Sequence, residues 1–245
     1  MTKLRVAVNG AKGKMGTTTV EAIRQAQNFE LVGAFDHDVV LTDAIKNCDA
    51  QIVVDFTTAN SAFENAKIII ASGAHPVIGT TGFTPEQIAE LTTLCTHKNL
   101  GAIIAPNFSI AALLMMRTAK ECAKYLPDVE IIETHHENKA DAPSGTAIKT
   151  AELIASARTS SPSEAKSKEL LPGALGAIKN GIRIHSLRLP GFVAQQEVIF
   201  GSQGESLHIK HNTTDRSAFM PGVLLACAKV TQLTTLVYGL EELLF

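Results

Sequence analysis

The run Glu133-Thr134-His135-His136-Glu137-Asn138-Lys139-Ala140-Asp141-Ala142-Pro143-Ser144-Gly145-Thr146-Ala147 gathers the side chains best suited to chemistry. Two imidazoles and an ammonium lie within five residues, just ahead of a predicted helix start at residues 144–146. The free N–H groups of Gly145 and Thr146 at that start would make an anion site, and His135, His136 and Lys139 could serve the same anion. The combination suits a small substrate bearing carboxylates, and histidine and lysine can also donate protons. Two other chemistries fail on spacing. A zinc protease needs histidine at position 140, where Ala140 stands, and a nucleophile elbow needs glycine two residues before Ser144, where Ala142 stands. A polar surface loop accounts for either histidine alone but not for the whole cluster. His208 and His211, three apart on a predicted strand, point to opposite faces and make poor joint metal ligands. With His185 they are read as structural, and no metal site is expected.

The second group is Gly10-Ala11-Lys12-Gly13-Lys14-Met15-Gly16, between a predicted strand and a predicted helix. A sharp turn, a backbone open to a pyrophosphate and close helix–strand contact each favour glycine, and the helix start offers N–H groups to phosphates. Asp36 lies 20 residues beyond Gly16 at the end of the next predicted strand, where a carboxylate can accept hydrogen bonds from a ribose. The competing reading is a ligand-free turn with Asp36 capping a loop; the context at both ends favours a dinucleotide. Lys12 and Lys14, ordinary as isolated surface residues, would add positive charge to such a loop.

These groups need elements to position them. Residues 4–8, 30–35, 52–56, 75–78 and 102–105 read as strands, and 15–27 as a helix. Phe63, Ala66, Ile69 and Ile70 mark another helical face. Thr84, Pro85 and Gln87 form a helix start with a capping box, followed by a buried face of Ile88, Leu91 and Leu94. Alternation of strand and helix through about residue 105 predicts a doubly wound parallel sheet with helices on both faces. After Pro106 the rhythm changes. A helix over 110–125, a strand over 129–134 and a helix from Gly145 are followed by strands at 182–189, 195–200 and 206–211 without helices between them. This predicts a second, α+β domain with an antiparallel or mixed sheet. Residues 158–169, with four serines and no Val, Ile, Leu or aromatic residue, read as an exposed, mobile loop. Phe219, Val223, Ala226, Cys227 and Val230 mark a last helix that returns to the first domain. The expected domains are therefore 1–106 with 218–245, and 107–217.

Composition narrows the class. The 245 residues are 45% apolar and 19% charged, which excludes a disordered chain. A net charge of −2 leaves no basic excess for a phosphate backbone, so nucleic acid is not an expected partner. Cys48, Cys95, Cys122 and Cys227 are scattered, as buried thiols in a reducing compartment would be. No signal peptide is read at the N-terminus, and no apolar run approaches the roughly 20 residues of a membrane span. A cytoplasmic protein without membrane partners is expected.

At these residues the chain resembles the 4-hydroxy-tetrahydrodipicolinate (dihydrodipicolinate) reductase family. The likeness covers nearly the whole length and includes Val6 to Gly16, Asp55-Phe56-Thr57, Val77 to Phe83 and Ala105 to Ser109. It also includes Glu133 to Ala147, which fits the family pattern E-x-H-H-x-x-K-x-D-x-P-S-G-T-A. The resemblance implies a Rossmann-like domain with a second domain for substrate binding and oligomerisation. It implies that His135 and Lys139 are the acid–base pair, and that His136, Gly145 and Thr146 hold the substrate carboxylates. Gly10, Ala11, Lys12, Gly13, Lys14, Met15 and Asp36 would serve the pyrophosphate and ribose, while Gly79, Thr80, Thr81, Ala105, Pro106, Asn107 and Phe108 would lie near the nicotinamide. His37 stands where some members have an arginine suited to a 2′-phosphate, so NADH is expected to serve at least as well as NADPH. A homotetramer joined through the second domain's sheet is also implied. The implied reaction, in lysine and diaminopimelate biosynthesis, is hydride transfer to a cyclic unsaturated dicarboxylate, loss of water and protonation of the resulting enamine, in a cleft between the domains. The alternatives are a reductase of another small carboxylic acid and a non-catalytic dinucleotide sensor. A sensor has no need of His135, Lys139 and the Gly145-Thr146 anion site together.

Overall fold

The computed structural model describes residues 2–163 and 167–245. The chain divides into two compact units, the first comprising Met1–Ile110 with Arg216–Phe245 and the second Ala111–Asp215.

In the first unit the strands are β1 (Leu4–Asn9), β2 (Phe29–Phe35), β3 (Ile52–Asp55), β4 (His75–Ile78) and β5 (Ala102–Ile104), with β11 (Leu236–Tyr238) added from the end of the chain. They form one six-stranded sheet in the order β11-β5-β4-β3-β1-β2. Every pairing in it is parallel. Strands covered on both faces are continuous apolar runs, and Val6, Ala7, Val8, Ile52, Val53, Val54, Ile103 and Ile104 are all buried. The covering helices are α1 (Lys14–Gln25), α2 (Leu41–Cys48), α3 (Ala59–Ala71), α4 (Pro85–Lys98) and α7 (Met220–Val230). Ala62, Ala66, Ile70, Leu91 and Cys95 of α3 and α4 pack with Ile78, Ala102 and Ile104 of the sheet. The Thr84–Gln87 capping box is formed, and Leu91 and Cys95 carry the buried face of α4 while Ile88 and Leu94 are only half-buried.

The second unit contains α5 (Ile110–Cys122, whose first residue belongs to the first unit), β6 (Asp128–His135), α6 (Gly145–Ala157), β7 (Ala177–Lys179), β8 (Ile182–Arg188), β9 (Ala194–Ser202) and β10 (Glu205–Thr213). The sheet order is β10-β9-β6-β8-β7. It is mixed, because β6 runs parallel to β8 and antiparallel to β9. A 3-10 turn at Arg216–Phe219 leads back into the first unit, and a short α8 (Glu241–Leu244) ends the chain.

Several sequence expectations shift. α2, β7, α8 and β11 have no counterpart in the periodicity reading, since three or four residues, or two turns of helix, carry too little pattern. The helix expected over 110–125 ends at Cys122. The units divide after Ile110 and Asp215 rather than 106 and 217. Phe108 packs edge-on against Phe56, with ring centroids 5.8 Å apart, so residues 107–110 stay with the first sheet. The 3-10 turn from Arg216 packs on α1 and α7, which takes 216 and 217 with it. In the 158–169 stretch, Thr159 Oγ1 donates to the Lys124 carbonyl at 2.9 Å and Ser163 bonds Asp128, while residues 164–166 lie outside the described residues. No helix among the described residues is long and apolar enough to cross a membrane.

The chain steps from β1 to β2 on one side and to β3 on the other, so the strand order reverses between β1 and β3. Such a switch point leaves a crevice at the carboxyl ends of the strands. Behind its lining residues Asn9, Thr57 and Asn65 lies the fully buried carboxylate of Asp55. Asn9 Nδ2 and Asn65 Nδ2 donate to one oxygen at 2.8 and 2.9 Å. The Thr57 amide and hydroxyl donate to the other at 3.0 and 2.6 Å. Asp55→Ala would strand several of these donors and is expected to cost about 3 kcal/mol, at roughly 1–3 kcal/mol for each buried group left unpaired. Denaturant unfolding tests this; an unchanged midpoint would show that the network adds nothing to the crevice.

Candidate active site

In the first unit, β1 delivers the chain to Gly10, whose φ of +78° is open to glycine but strained for other residues. A Cβ at Gly10 would sit 2.7 Å from the Phe56 carbonyl oxygen, and one at Gly16 would sit 2.0 Å from the Gly10 oxygen. The turn therefore closes only without side chains at both positions. Gly13 caps α1, Ala11 is half-buried, and Lys14 and Met15 open the helix. The turn is tied to β2, because the Ala11 amide donates to the Phe35 carbonyl at 2.9 Å. The Lys12 amide donates to Asp36 Oδ2 at 3.0 Å. Asp36 is held down to about 2 by the His37 backbone N–H, then by the His37 ring and the Lys12 N–H. Lys12 Nζ lies 2.9 Å from Asp38 Oδ2, which raises the lysine and lowers the aspartate. A groove of about 530 Å³ is lined by Asn9, Gly10, Gly13, Asp36, Phe56 and Thr57, among others. A glycine cradle beside a helix start, with an ionised carboxylate at the tip of the second strand, fits the pyrophosphate and ribose of a dinucleotide.

Gly79, Thr80 and Thr81 follow β4 at the same edge. The Gly79 amide donates to the Asp55 carbonyl at 3.0 Å and Thr80 Oγ1 to the Thr57 carbonyl at 3.2 Å. Ala105, Pro106, Asn107 and Phe108 follow β5; the Ala105 amide donates to the Ile78 carbonyl at 2.9 Å. Asn107 Oδ1 accepts from the Ser109 amide at 2.8 Å.

In the second unit, alternate residues of β6 share one face: Val129, Ile131 and Glu133 are buried and His135 is partly so. β6 and β8 both contact α6, and Val129, Ile131, Ile182 and Ile184 are buried. Toward the end of the strand the face turns polar. His135 pairs in register with Arg188 on β8, and Glu133 with Ser186 on β8 and Gln196 on β9. Glu133 has no exposed side-chain surface. Its Oε2 is 2.5 Å from His135 Nδ1 and accepts from Arg188 Nη1 at 3.1 Å. Its Oε1 accepts from Arg188 Nη2 at 2.9 Å and from the Ser144 amide at 3.3 Å. Burial would raise this carboxyl, but hydrogen bonds from His135, Arg188 and Ser186 outweigh it and hold the group at about 2.

The loop after β6 is fastened at both ends. Arg188 Nη2 donates to the Asp141 carbonyl at 2.7 Å. Lys139 Nζ lies 2.7 Å from Asp141 Oδ1 and draws that carboxyl below its ordinary range. Ser144 caps α6, its Oγ accepting from the Ala147 amide at 3.2 Å. Gln196 Nε2 donates to Thr150 Oγ1, which donates to the Thr146 carbonyl at 2.7 Å and fixes the first turn. A Cβ at Gly145 would meet nothing within 4 Å, so the helix start faces open space. The geometry thus links His135, Lys139, Gly145 and Thr146 through Glu133 and Arg188; His136, half-buried, follows directly on β6. Sequence reasoning quoted Glu133 without giving it a task, although two residues apart on a strand already places it beside His135. Arg188 it missed, since only strand pairing brings position 188 to 135. His208 and His185 bond Glu197 and Glu130 instead, at 2.8 and 2.7 Å. Among the described residues no three His, Cys, Asp or Glu side chains are placed to hold a metal.

A parallel Rossmann-like sheet followed by a mixed α+β unit is the plan of a two-domain NAD(P)H-dependent reductase. Residues 4–108 match the family described as dihydrodipicolinate reductase, N-terminus, and residues 111–244 match dihydrodipicolinate reductase, C-terminus. The chain is 54% identical over 242 residues to a 4-hydroxy-tetrahydrodipicolinate reductase of Legionella pneumophila, covering 99% of this chain and 100% of that one. It is 54% identical over 241 residues to the protein of that name from Coxiella burnetii, covering 98% and 99% of the two chains. A dipicolinate-bound dihydrodipicolinate reductase from Paenisporosarcina sp. TG-14 has the same fold, with a TM-score of 0.89 at 40% identity over 98% of this chain and 99% of that one. The chain belongs to the dihydrodipicolinate reductase family.

The electrostatics of Glu133 can be tested directly. Arg188→Ala leaves the carboxylate buried with fewer partners and is expected to cost about 3 kcal/mol at neutral pH. Because Glu133 is held at about 2, below its ordinary 4.5, its contribution is complete above about pH 4.5 and is lost as pH falls toward 2. The stability gap between wild type and variant should therefore narrow over that window. Thermal melting of both proteins as a function of pH checks it, and a gap that stays constant down to pH 2 would contradict the assignment.

Proposed function

We propose that this protein reduces 4-hydroxy-tetrahydrodipicolinate to tetrahydrodipicolinate in lysine and diaminopimelate biosynthesis, with NADH at least as good a donor as NADPH. The observation that carries the reading is the Glu133-to-Ala147 segment, which ties His135 and Lys139 to a capped helix start facing open space. That cluster suits a small dicarboxylate. Two relatives at 54% identity over their whole length bear the name of this activity.

In the proposed reaction a reduced nicotinamide supplies the hydride. The remaining work falls to the chain: one proton must be added to the enamine left by hydride addition, and one water must leave the hydroxylated precursor. His135 and Lys139 are the proton-handling groups in this reading. His136 with the N–H groups of Gly145 and Thr146 holds the carboxylates. Gly10 to Met15 and Asp36 hold the pyrophosphate and ribose, with Gly79 to Thr81 and Ala105 to Phe108 near the nicotinamide. A homotetramer joined through the second unit's sheet is supported by the face that α6 leaves uncovered. There Ile178 and Leu187 are exposed, and Ile132 and Ile199 are only half-buried. A cytoplasmic location accords with a biosynthetic role.

Charge around the ribose supports the cofactor preference. Asp36 stays ionised at any working pH, and the positive charge of Lys12 is already engaged by Asp38. A 2′-phosphate would meet two carboxylates against one lysine and His37. NADPH is therefore expected to gain no more than tenfold in kcat/KM over NADH, a limit of about 1.4 kcal/mol. Asp36→Ala should move the ratio toward NADPH. A wild-type preference for NADPH beyond that limit, or a ratio unmoved by the substitution, would refute the charge argument.

Lys139 is expected to matter for turnover more than for folding. Its partner in the structure is the exposed Asp141, so Lys139→Ala should leave the melting temperature nearly unchanged. As a proton donor its loss should lower kcat by about 10²- to 10⁴-fold. As a partner of a carboxylate its loss should also raise KM for the dicarboxylate. Turnover, NADH affinity and melting are measured on one preparation; near-normal turnover would end the assignment.

A further inference from the structure

We propose that Glu133, itself fixed by Arg188, is the positioning residue that selects which ring nitrogen of His135 meets the substrate, keeping Nδ1–H turned inward and leaving Nε2 as the reactive nitrogen. The inference rests on the reading of His135 as an acid–base group. It goes beyond it by assigning a task to two residues outside the acid–base pair and the carboxylate holders.

Two features separate this role from that of a plain structural ion pair. A strut between β6 and β8 would need only the fork of Arg188 on the two oxygens of Glu133. Here Oε2 is shared, and its shortest contact is the 2.5 Å one to His135 Nδ1. Glu133 is held at about 2, so at working pH it is a carboxylate, which accepts hydrogen bonds and cannot donate them. A carboxylate facing Nδ1 requires the proton to be on Nδ1. In the neutral ring the lone pair is then on Nε2, and in the cation the proton available for transfer is on Nε2. The other groups facing Glu133 reinforce this state. Arg188 supplies two donors and the Ser144 amide a third, so no proton needs to reside on the carboxylate itself. Arg188 also reaches the Asp141 carbonyl, which couples the orientation of His135 to the loop that carries Lys139. The side chain of Glu133 is fully buried, so water does not compete for these bonds.

The test uses the full-length protein. In the unaltered enzyme, ¹⁵N spectra of labelled histidine, assigned by difference from His135→Ala, should show the neutral ring protonated on Nδ1 and bare on Nε2. The opposite tautomer would overturn the proposal whether or not any variant folds. Glu133→Gln should lower kcat by about tenfold to a hundredfold, leave KM for NADH unchanged and cost less than about threefold in the His135→Ala background, because a residue that acts through another loses its effect when that partner is gone. An equal loss in both backgrounds would overturn the positioning role while leaving the proposed function standing. Near-normal turnover of His135→Ala alone would instead remove His135 from the chemistry, and this inference with it.

Discussion

A single buried carboxylate organises the second unit. Glu133 touches the end of β6 through His135, the end of β8 through Arg188 and the start of α6 through the Ser144 amide. Each contact is a hydrogen bond to a charged acceptor out of water, where such bonds are strong and their loss is costly. The same atoms that hold strand, strand and helix in register also aim the candidate proton donor and open the helix start. Stability and function therefore cannot be separated by deleting Glu133 alone, because one substitution disturbs both. Comparing its effect with and without His135 isolates the functional part.

The first unit meets its constraint in a different way. Its crevice follows from strand order: β2 and β3 lie on opposite sides of β1, and the chain must leave β1 by a turn too tight for side chains at Gly10 and Gly16. Behind the lining is a buried acid, Asp55, held by neutral donors, in contrast to the Arg188 clamp on Glu133. Neutral donors satisfy the carboxylate and add no formal charge beneath the groove. Charged side chains at the groove include Asp36, which lines it, with the Lys12–Asp38 pair joined to it through the Lys12 amide.

Much of this was legible in the chain. The apolar runs of β1, β3 and β5 and the capping box at Thr84 are strong local signals, and they gave the parallel sheet. The glycine turn with Asp36, and the run from Glu133 to Thr146, stand out as candidate sites by residue type and spacing. What escaped was of two kinds. Short elements such as β7, β11 and α2 owe their existence to a neighbour already in place, so their own sequence is weakly patterned. Arg188 is joined to His135 by register between β6 and β8, across 52 intervening positions, and nothing local to either residue announces the pairing.

Both units place their candidate site residues where an element ends, and β6 shows why that is economical. One face of the strand runs Val129, Ile131, Glu133, His135, so that apolar burial gives way to polar contacts within four alternate positions. The apolar half anchors the strand, which fixes its register with β8 and β9 because a one-residue slip would turn Ile131 out of the core. That register is what sets Arg188 beside His135 and Ser186 beside Glu133. The precision of the polar half is thus inherited from the hydrophobic half. Substitutions that loosen Ile131 or Ile184 should therefore act on turnover through the geometry at the end of the strand, although neither side chain belongs to the candidate site.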